Sequence, residues 1–283
     1  ETKNLDLGDN NILKDIPKSD IIIAGPPCQG FSLTGPRNID DPRNKLYLSV
    51  FKTLKLTNPK AFVVENVRGL KTMWDGNVFK EIIKKFESAG YVVTESLLNS
   101  ADYGVPQIRH RVFIVGIKKE LNKKFEFPKP EFDKDNYITC GEAIDNLPSL
   151  ENGELKSSNY NEKPTTNFQR YVMDSNKLYN HEATLHKQFV KDTIALVPEG
   201  GNYKDLPKGV GDSRKFNEAW TRYHSKKPSR TIDTGHRNHF HYKWNRVPTI
   251  RENARLQSFK DSFRFLGTRT SQNAQVGNAV PPL

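Results

Sequence analysis

Asp20-Ile-Ile-Ile-Ala-Gly-Pro-Pro-Cys-Gln29 is the stretch on which the fold turns. The apolar run Ile21 to Ala24 is too short for a helix and predicts a short, fully buried strand. Pro26 and Pro27 carry no amide hydrogen for a ladder, so the strand stops before them. Cys28 therefore follows the carboxyl end of a strand, the end at which ligands gather in open α/β sheets. A thiol there reads either as a small buried hydrophobe or as a nucleophile. The local stretch does not choose between them.

Outward from that strand, the polar stretch from Leu33 to Asn44 contains Gly35, Pro36 and Pro42 and reads as a lid or binding loop. Leu46, Tyr47, Val50, Phe51 and Leu54 then recur at helical spacing, predicting a helix that ends near Asn58-Pro59. Ala61 to Val64 is a second buried strand, leading into Glu65-Asn66-Val67. Val78, Phe79, Ile82, Ile83 and Phe86 mark another helix, closed by Gly90. Strands are expected at Tyr91 to Leu98 and Arg111 to Ile117. This alternation predicts an α/β fold with a doubly wound, mostly parallel sheet. The last two strands are joined without a helix, so that pair is expected to be antiparallel.

The pattern changes after residue 148. Residues 150–248 are rich in Asn, Thr, Lys, His and aromatics, with weak periodicity, and read as an irregular, β-containing module. One helical stretch is expected there, from His181 to Val197. Helical spacing returns at Thr249 to Phe259, with Thr249 as N-cap and Glu252 three residues on. The expected organisation is a domain over 1–149, a second over 150–248, and a return to the first over 249–283.

The 283 residues carry a formal charge of +11, and the pI of about 9.4 points to a polyanionic partner. Mean hydropathy is −0.72, and no apolar run is long enough to cross a bilayer. The first residues lack the apolar centre of a signal peptide. Two dissimilar cysteines, Cys28 and Cys140, argue against a disulfide framework and for a reducing cytoplasm. A chain that opens without Met, at the end of a strand-and-loop unit, and stops at Pro281-Pro282-Leu283 is expected to be an amino-terminally truncated fragment.

Cys28, Glu65, Arg109 and Arg111 all fall where loops leave strand ends. Singly, Glu65 reads as a cap or ion-pair partner and the arginines as surface charge; together they suggest a site. A thiol hydrolase would need a histidine base beside the cysteine. The nearest, His110, alternates with Arg109 and Arg111 and points away from them. His236, His239 and His241 lack a supporting cysteine or acidic cluster, so no metal is expected.

Pro27-Cys28-Gln29, Glu65-Asn66-Val67 and Gln107-Ile-Arg-His-Arg111, in that order, resemble the Pro-Cys-Gln, Glu-Asn-Val and Gln-x-Arg-x-Arg motifs of the DNA (cytosine-5)-methyltransferases. Arg251-Glu-Asn-Ala-Arg-Leu-Gln257 and Gln275-Val-Gly-Asn-Ala-Val280 are similar to that family's ninth and tenth motifs. The resemblance runs from residue 9 to the last residue, apart from 150–248. It implies a Rossmann-like methyltransferase in which Cys28 is the nucleophile, Glu65 acts at the target base, and Arg111 and Arg109 assist. The donor it implies is S-adenosylmethionine, held by Asp9, Gly25, Pro27, Leu46, Asn278 and Ala279, with no metal.

Duplex DNA is the implied substrate, its cytosine flipped out of the helix. Gln29, Ser32, Arg37 and Arg43 would approach it from the catalytic side and Arg230, Arg237 and Asn238 from a target-recognition domain over 150–248. The family's Phe-x-Gly-x-Gly segment and its acidic second motif are absent, so weak donor binding and little activity are expected of the chain as it stands. The setting implied is a monomer in bacterial cytoplasm, beside a separately acting restriction endonuclease. The alternatives are a tRNA cytosine-5 methyltransferase, which shares the motifs, and a DNA-binding protein without catalysis.

Overall fold

The computed structural model describes residues 9, 12, 16–27, 46–151, 155–212, 216, 218–235 and 238–283. The chain forms two compact units, residues 1–99 with 110–129 and residues 100–109 with 130–283.

The first unit is built on a four-stranded sheet of order β1-β2-β4-β3. These strands are β1 (Ile21–Ala24), β2 (Ala61–Val67), β3 (Tyr91–Asn99) and β4 (His110–Lys118). β1 pairs parallel with β2, while β4 lies antiparallel to both β2 and β3. Three strands thus run one way and β4 the other, the mixed, mostly parallel sheet expected from the pattern. Helices α1 (Tyr47–Thr57) and α2 (Asn77–Ser88) lie in the β1–β2 and β2–β3 connections. Along β2, Phe62, Val64 and Asn66 are buried while the residues between them are half-buried. The buried face packs on Val50 and Leu54 of α1 and Phe79, Ile82 and Phe86 of α2. The Phe62 ring meets Phe86 at 4.8 Å and Tyr91 at 5.1 Å.

Both β1 and β2 differ from the strands expected. β1 is not fully buried: Ile22 and Ala24 pack on the core, but Ile21 and Ile23 are 59% and 80% exposed. It is one of the two edge strands of the described sheet, and only one of its faces meets the helices. β2 also runs three residues further than expected, because Glu65, Asn66 and Val67 all pair with β4.

The regular structure of the second unit is mainly helical: α3 (Cys140–Ile144), α4 (Asn167–Val172), α5 (Gln188–Ala195), α6 (Ile250–Leu256) and α7 (Arg269–Asn278), with the two-residue strands β5 (Thr221–Arg222) and β6 (His239–Phe240) in parallel and irregular chain between them. One core joins Cys140, Ile144, Phe168 and Val172 to Ile250, Ala254 and Val276. A second packs Ile194 and Val197 against Trp220, Phe240 and Val247. α6 starts as expected, with Thr249 and Glu252 forming a capping box.

The helix expected from His181 begins instead at Gln188. His181 is buried, its ring nitrogens 2.7 Å from the Pro148 carbonyl and 3.0 Å from Thr249 Oγ1. That pairing holds it outside any helical turn. Cys140 is free and fully buried, and burial pushes its thiol pKa far up, so it is chemically inert. No helix among the described residues is long and apolar enough to cross a membrane.

Candidate active site and recognition segments

In the first unit the site is built on the β2–β4 ladder. Glu65 opposes Phe113 and Val67 opposes Arg111, which makes Glu65 and Arg111 diagonal neighbours on one face of the sheet. Arg111 Nε lies 3.0 Å from Glu65 Oε1, with the side chains 17% and 18% exposed. Burial lowers the Arg111 pKa and the Glu65 carboxylate opposes that shift. A guanidinium so placed stays charged and orients the carboxylate.

Asn66 projects to the opposite, buried face. Its Nδ2 donates to the Pro26 carbonyl at 3.1 Å, and its Oδ1 accepts from Val67 N at 2.8 Å. This side chain ties the end of β1 to β2. A Cβ built on Gly25 would lie 3.7 Å from Glu65 Oε2, an ordinary van der Waals contact, so Gly25 runs directly beside the carboxylate. The residues immediately before Cys28 are therefore fixed next to Glu65. Cys28, Gln29, Ser32, Arg37 and Arg43 lie outside the described residues, as does Arg237. Of the residues expected at the methyl donor, Asp9, Gly25, Pro27 and Asn278 are exposed, and Leu46 and Ala279 half-buried.

Arg109 falls in the second unit, before β4 begins, so the strand alternation expected for residues 109–111 starts only at His110. Its side chain is 2% exposed and donates to three backbone carbonyls: Ile232, Gly277 and Ala279. The two arginines read as one pair in the sequence thus have different partners, a carboxylate for Arg111 and backbone for Arg109.

Around Arg230 the second unit carries a short polar chain. Arg230 Nη1 lies 3.5 Å from Glu218 Oε1, and Glu218 Oε2 lies 3.3 Å from His239 Nε2. The hydrogen bond with His239 lowers the Glu218 pKa further than burial raises it. Asn238 Nδ2 donates to Asp233 Oδ2 at 3.3 Å. His239 and His241 are both buried. Each faces a glutamate, His239 facing Glu218 and His241 facing Glu252.

Sequence reasoning missed two anchors, Gln107 and Thr231. The Gln107 side chain is fully buried, donates to the Leu256 carbonyl and Gln257 Oε1, and accepts from Ile232 N. Thr231 Oγ1 donates to the Ile108 carbonyl at 2.8 Å. The signal for Gln107 was its place in Gln-x-Arg-x-Arg; Thr231 carried none.

The whole chain, residues 1–283, matches the family model for C-5 cytosine-specific DNA methylases. Among similar proteins, the type II methyltransferase M1.HphI of Haemophilus parahaemolyticus is 41% identical over 98% of this chain and 69% of its own. The type II methyltransferase M.DdeI of Desulfomicrobium norvegicum is 38% identical over 99% and 73%. In fold, the chain is similar to a prophage-encoded E. coli protein described as a DNA modification methyltransferase. That match has a TM-score of 0.73 and 26% identity, over 98% of this chain and 81% of the other. The chain therefore belongs to the C-5 cytosine-specific DNA methylases, as a DNA (cytosine-5)-methyltransferase related to the type II enzymes of restriction-modification systems.

Proposed function

We propose that this enzyme methylates carbon 5 of a flipped-out cytosine in a specific duplex sequence through a covalent Cys28 adduct. The observation that carries the reading is the Glu65–Arg111 pair, beside the Gly25–Pro26 segment that leads into Cys28. Carbon 5 of cytosine is a weak nucleophile, and a target inside the duplex is out of reach of any side chain until it is extruded.

In this reading the Cys28 thiolate forms a bond to carbon 6. Glu65 hydrogen-bonds or protonates ring nitrogen 3, so the ring's added electron pair is accommodated as an enamine nucleophilic at carbon 5. Arg111 keeps the carboxylate in place and lies in reach of the base's carbonyl oxygen. Once carbon 5 is substituted, its proton passes to solvent water, the C6–S bond breaks with its electron pair returning to Cys28, and any proton placed on nitrogen 3 returns to Glu65, which restores the aromatic base. S-adenosylmethionine, when bound, supplies an electrophilic methyl carbon. An exposed carboxylate (Asp9), an exposed carboxamide (Asn278), an uncrowded glycine (Gly25) and the apolar Pro27, Leu46 and Ala279 suit such a nucleoside sulfonium.

Residues 150–248 would read the DNA, with Gln29, Ser32, Arg37 and Arg43 approaching from the catalytic side. Arg230, Arg237 and Asn238 are the leading candidates for base or phosphate contacts. A restriction-modification setting is favoured by the type II relatives. The test is labelled methyl transfer to duplex DNA and to tRNA, with bisulfite mapping of the product, and trapping on 5-fluorocytosine duplex. A covalent complex that Cys28→Ser abolishes is expected. Incorporation into tRNA alone, or near wild-type methylation by Cys28→Ser, overturns the reading.

A further inference from the structure

Residues 106–109 fasten to segments far away in sequence. Ser229 N donates to the Pro106 carbonyl and Ile108 N to the Ser229 carbonyl, at 2.9 and 2.8 Å. Arg109 then reaches both ways from this anchored stretch. Its Nη1 donates to the Ile232 carbonyl at 3.3 Å, and its Nη2 to the carbonyls of Gly277 and Ala279, each at 3.0 Å.

Gly277 lies in the last turn of α7, and Ala279 is that helix's C-cap. Carbonyls at a helix end lack intrahelical donors and carry partial negative charge, so a buried guanidinium satisfies them and favours the dipole. An independent observation places the same two segments together. A Cβ on Gly277 would fall 2.2 Å from the Asp233 carbonyl oxygen and 2.6 Å from Thr234 N, so backbone 233–234 rests directly on Gly277.

The two segments differ in assignment. Ile232 to Thr234 leads from Arg230 toward Asn238 on the DNA-reading side; Gly277 to Ala279 contains the residues assigned to the methyl donor. We propose that Arg109 is a positioning residue that couples target recognition to methyl-donor binding, by holding the 232–234 and 277–279 backbones on one guanidinium. The inference rests on the function proposed above. A movement of Ile232 on DNA binding would shift the guanidinium and with it the carbonyls at the end of α7. A lysine ammonium is a compact point charge without the planar fork, and cannot serve both segments as the guanidinium does.

The experiment uses the intact protein and the duplex identified by bisulfite mapping. Binding of S-adenosylhomocysteine is measured with and without that duplex, for wild type, Arg109→Lys and Gly277→Ala. Allosteric couplings commonly amount to about 5–150-fold. Wild type is expected to fall in that range, and folded Arg109→Lys within about twofold of no coupling. Gly277→Ala, perturbing the contact from the other side, is expected to lose coupling as well. Wild-type coupling in a folded Arg109→Lys overturns the proposal.

Hydrogen exchange on wild type needs no variant: duplex alone should slow exchange of amides 276–280, and unchanged exchange there overturns the proposal. Failure of the catalytic reading is seen separately, as wild type that methylates no duplex.

Discussion

Arg111 and Glu65 meet diagonally across the β2–β4 ladder, Nε to Oε1 at 3.0 Å, on the face of the sheet away from Phe62 and Val64. In the proposed reaction Glu65 is the group that meets the base and Arg111 the group that orients it. Glu65→Gln keeps the shape but loses the proton-transfer capacity, and is expected to lower kcat by roughly 10²–10⁴. Arg111→Lys removes Nε and the fixed fork. Its expected signature is a lowered kcat with DNA affinity little changed, checked by single-turnover methyl transfer and by duplex binding on the same samples.

Gly116 opposes Phe62 in the ladder, and a Cβ there would lie 2.1 Å from the ring. The ring is held by Phe86 and Tyr91 and cannot turn away freely. Gly116→Ala is therefore expected to destabilise the first unit by about 1–3 kcal/mol or more, as overpacking does. Chemical denaturation of the variant measures this; a change below about 0.5 kcal/mol would show that the ring has room.

The sequence made the sheet legible because β1 to β4 are short apolar runs with strong punctuation: Pro26, Gly90 and the Asn58-Pro59 stop. It misplaced Glu65 because a charged residue after Val63-Val64 looks like the start of a loop. The Arg111 partner that keeps it in the strand is 46 positions away in sequence. It read Arg109 and Arg111 as one pair because spacing carries no information about partners. The start of α5 at Gln188, seven residues after His181, was hidden for the same reason, since the Pro148 carbonyl and Thr249 that hold His181 are remote. The charged core of α6 was legible only as a motif, not as the packing it turns out to be.

That core supplies a further prediction. Arg255 forms a two-point pair with Asp261, at 3.0 and 2.7 Å, and also reaches Asn146 Oδ1 at 2.6 Å. Arg251 approaches the same aspartate at 3.7 Å, and all three side chains are fully buried. Tyr160 donates to Asp261 at 2.7 Å. Asp261→Ala leaves two guanidiniums buried without their shared carboxylate, and is expected to cost about 3–5 kcal/mol in the second unit. Urea unfolding followed by tryptophan fluorescence checks it. A loss under about 1 kcal/mol would mean that the carbonyls around Arg251 suffice.

The buried histidines beside α6 make stability depend on pH. His241 Nε2 lies 3.8 Å from Glu252 Oε1, yet burial pushes the imidazole pKa from 6.5 down to about 3, outweighing that carboxylate. Burial lowers His181 as well. Burial alone would raise Glu252, but the Arg246 pair at 2.7 and 2.8 Å more than offsets it and holds Glu252 below the usual carboxylate range. The unfolded chain protonates His241 near pH 6.5, while the folded chain keeps it neutral to about pH 3. Between those values the unfolded state binds the extra proton. Stability is therefore full above about pH 6.5 and falls on acidification, by up to about 1.4 kcal/mol per pH unit for this group. His241 Nδ1 accepts from Lys243 N and Trp244 N, so His241→Gln offers an oxygen acceptor without a titrating ring. Unfolding free energies measured from pH 7.5 to pH 4.5 should fall less steeply in His241→Gln, by about one proton's worth of slope. Parallel slopes for the two proteins would mean that His241 takes its proton in the folded state as readily as in the unfolded chain.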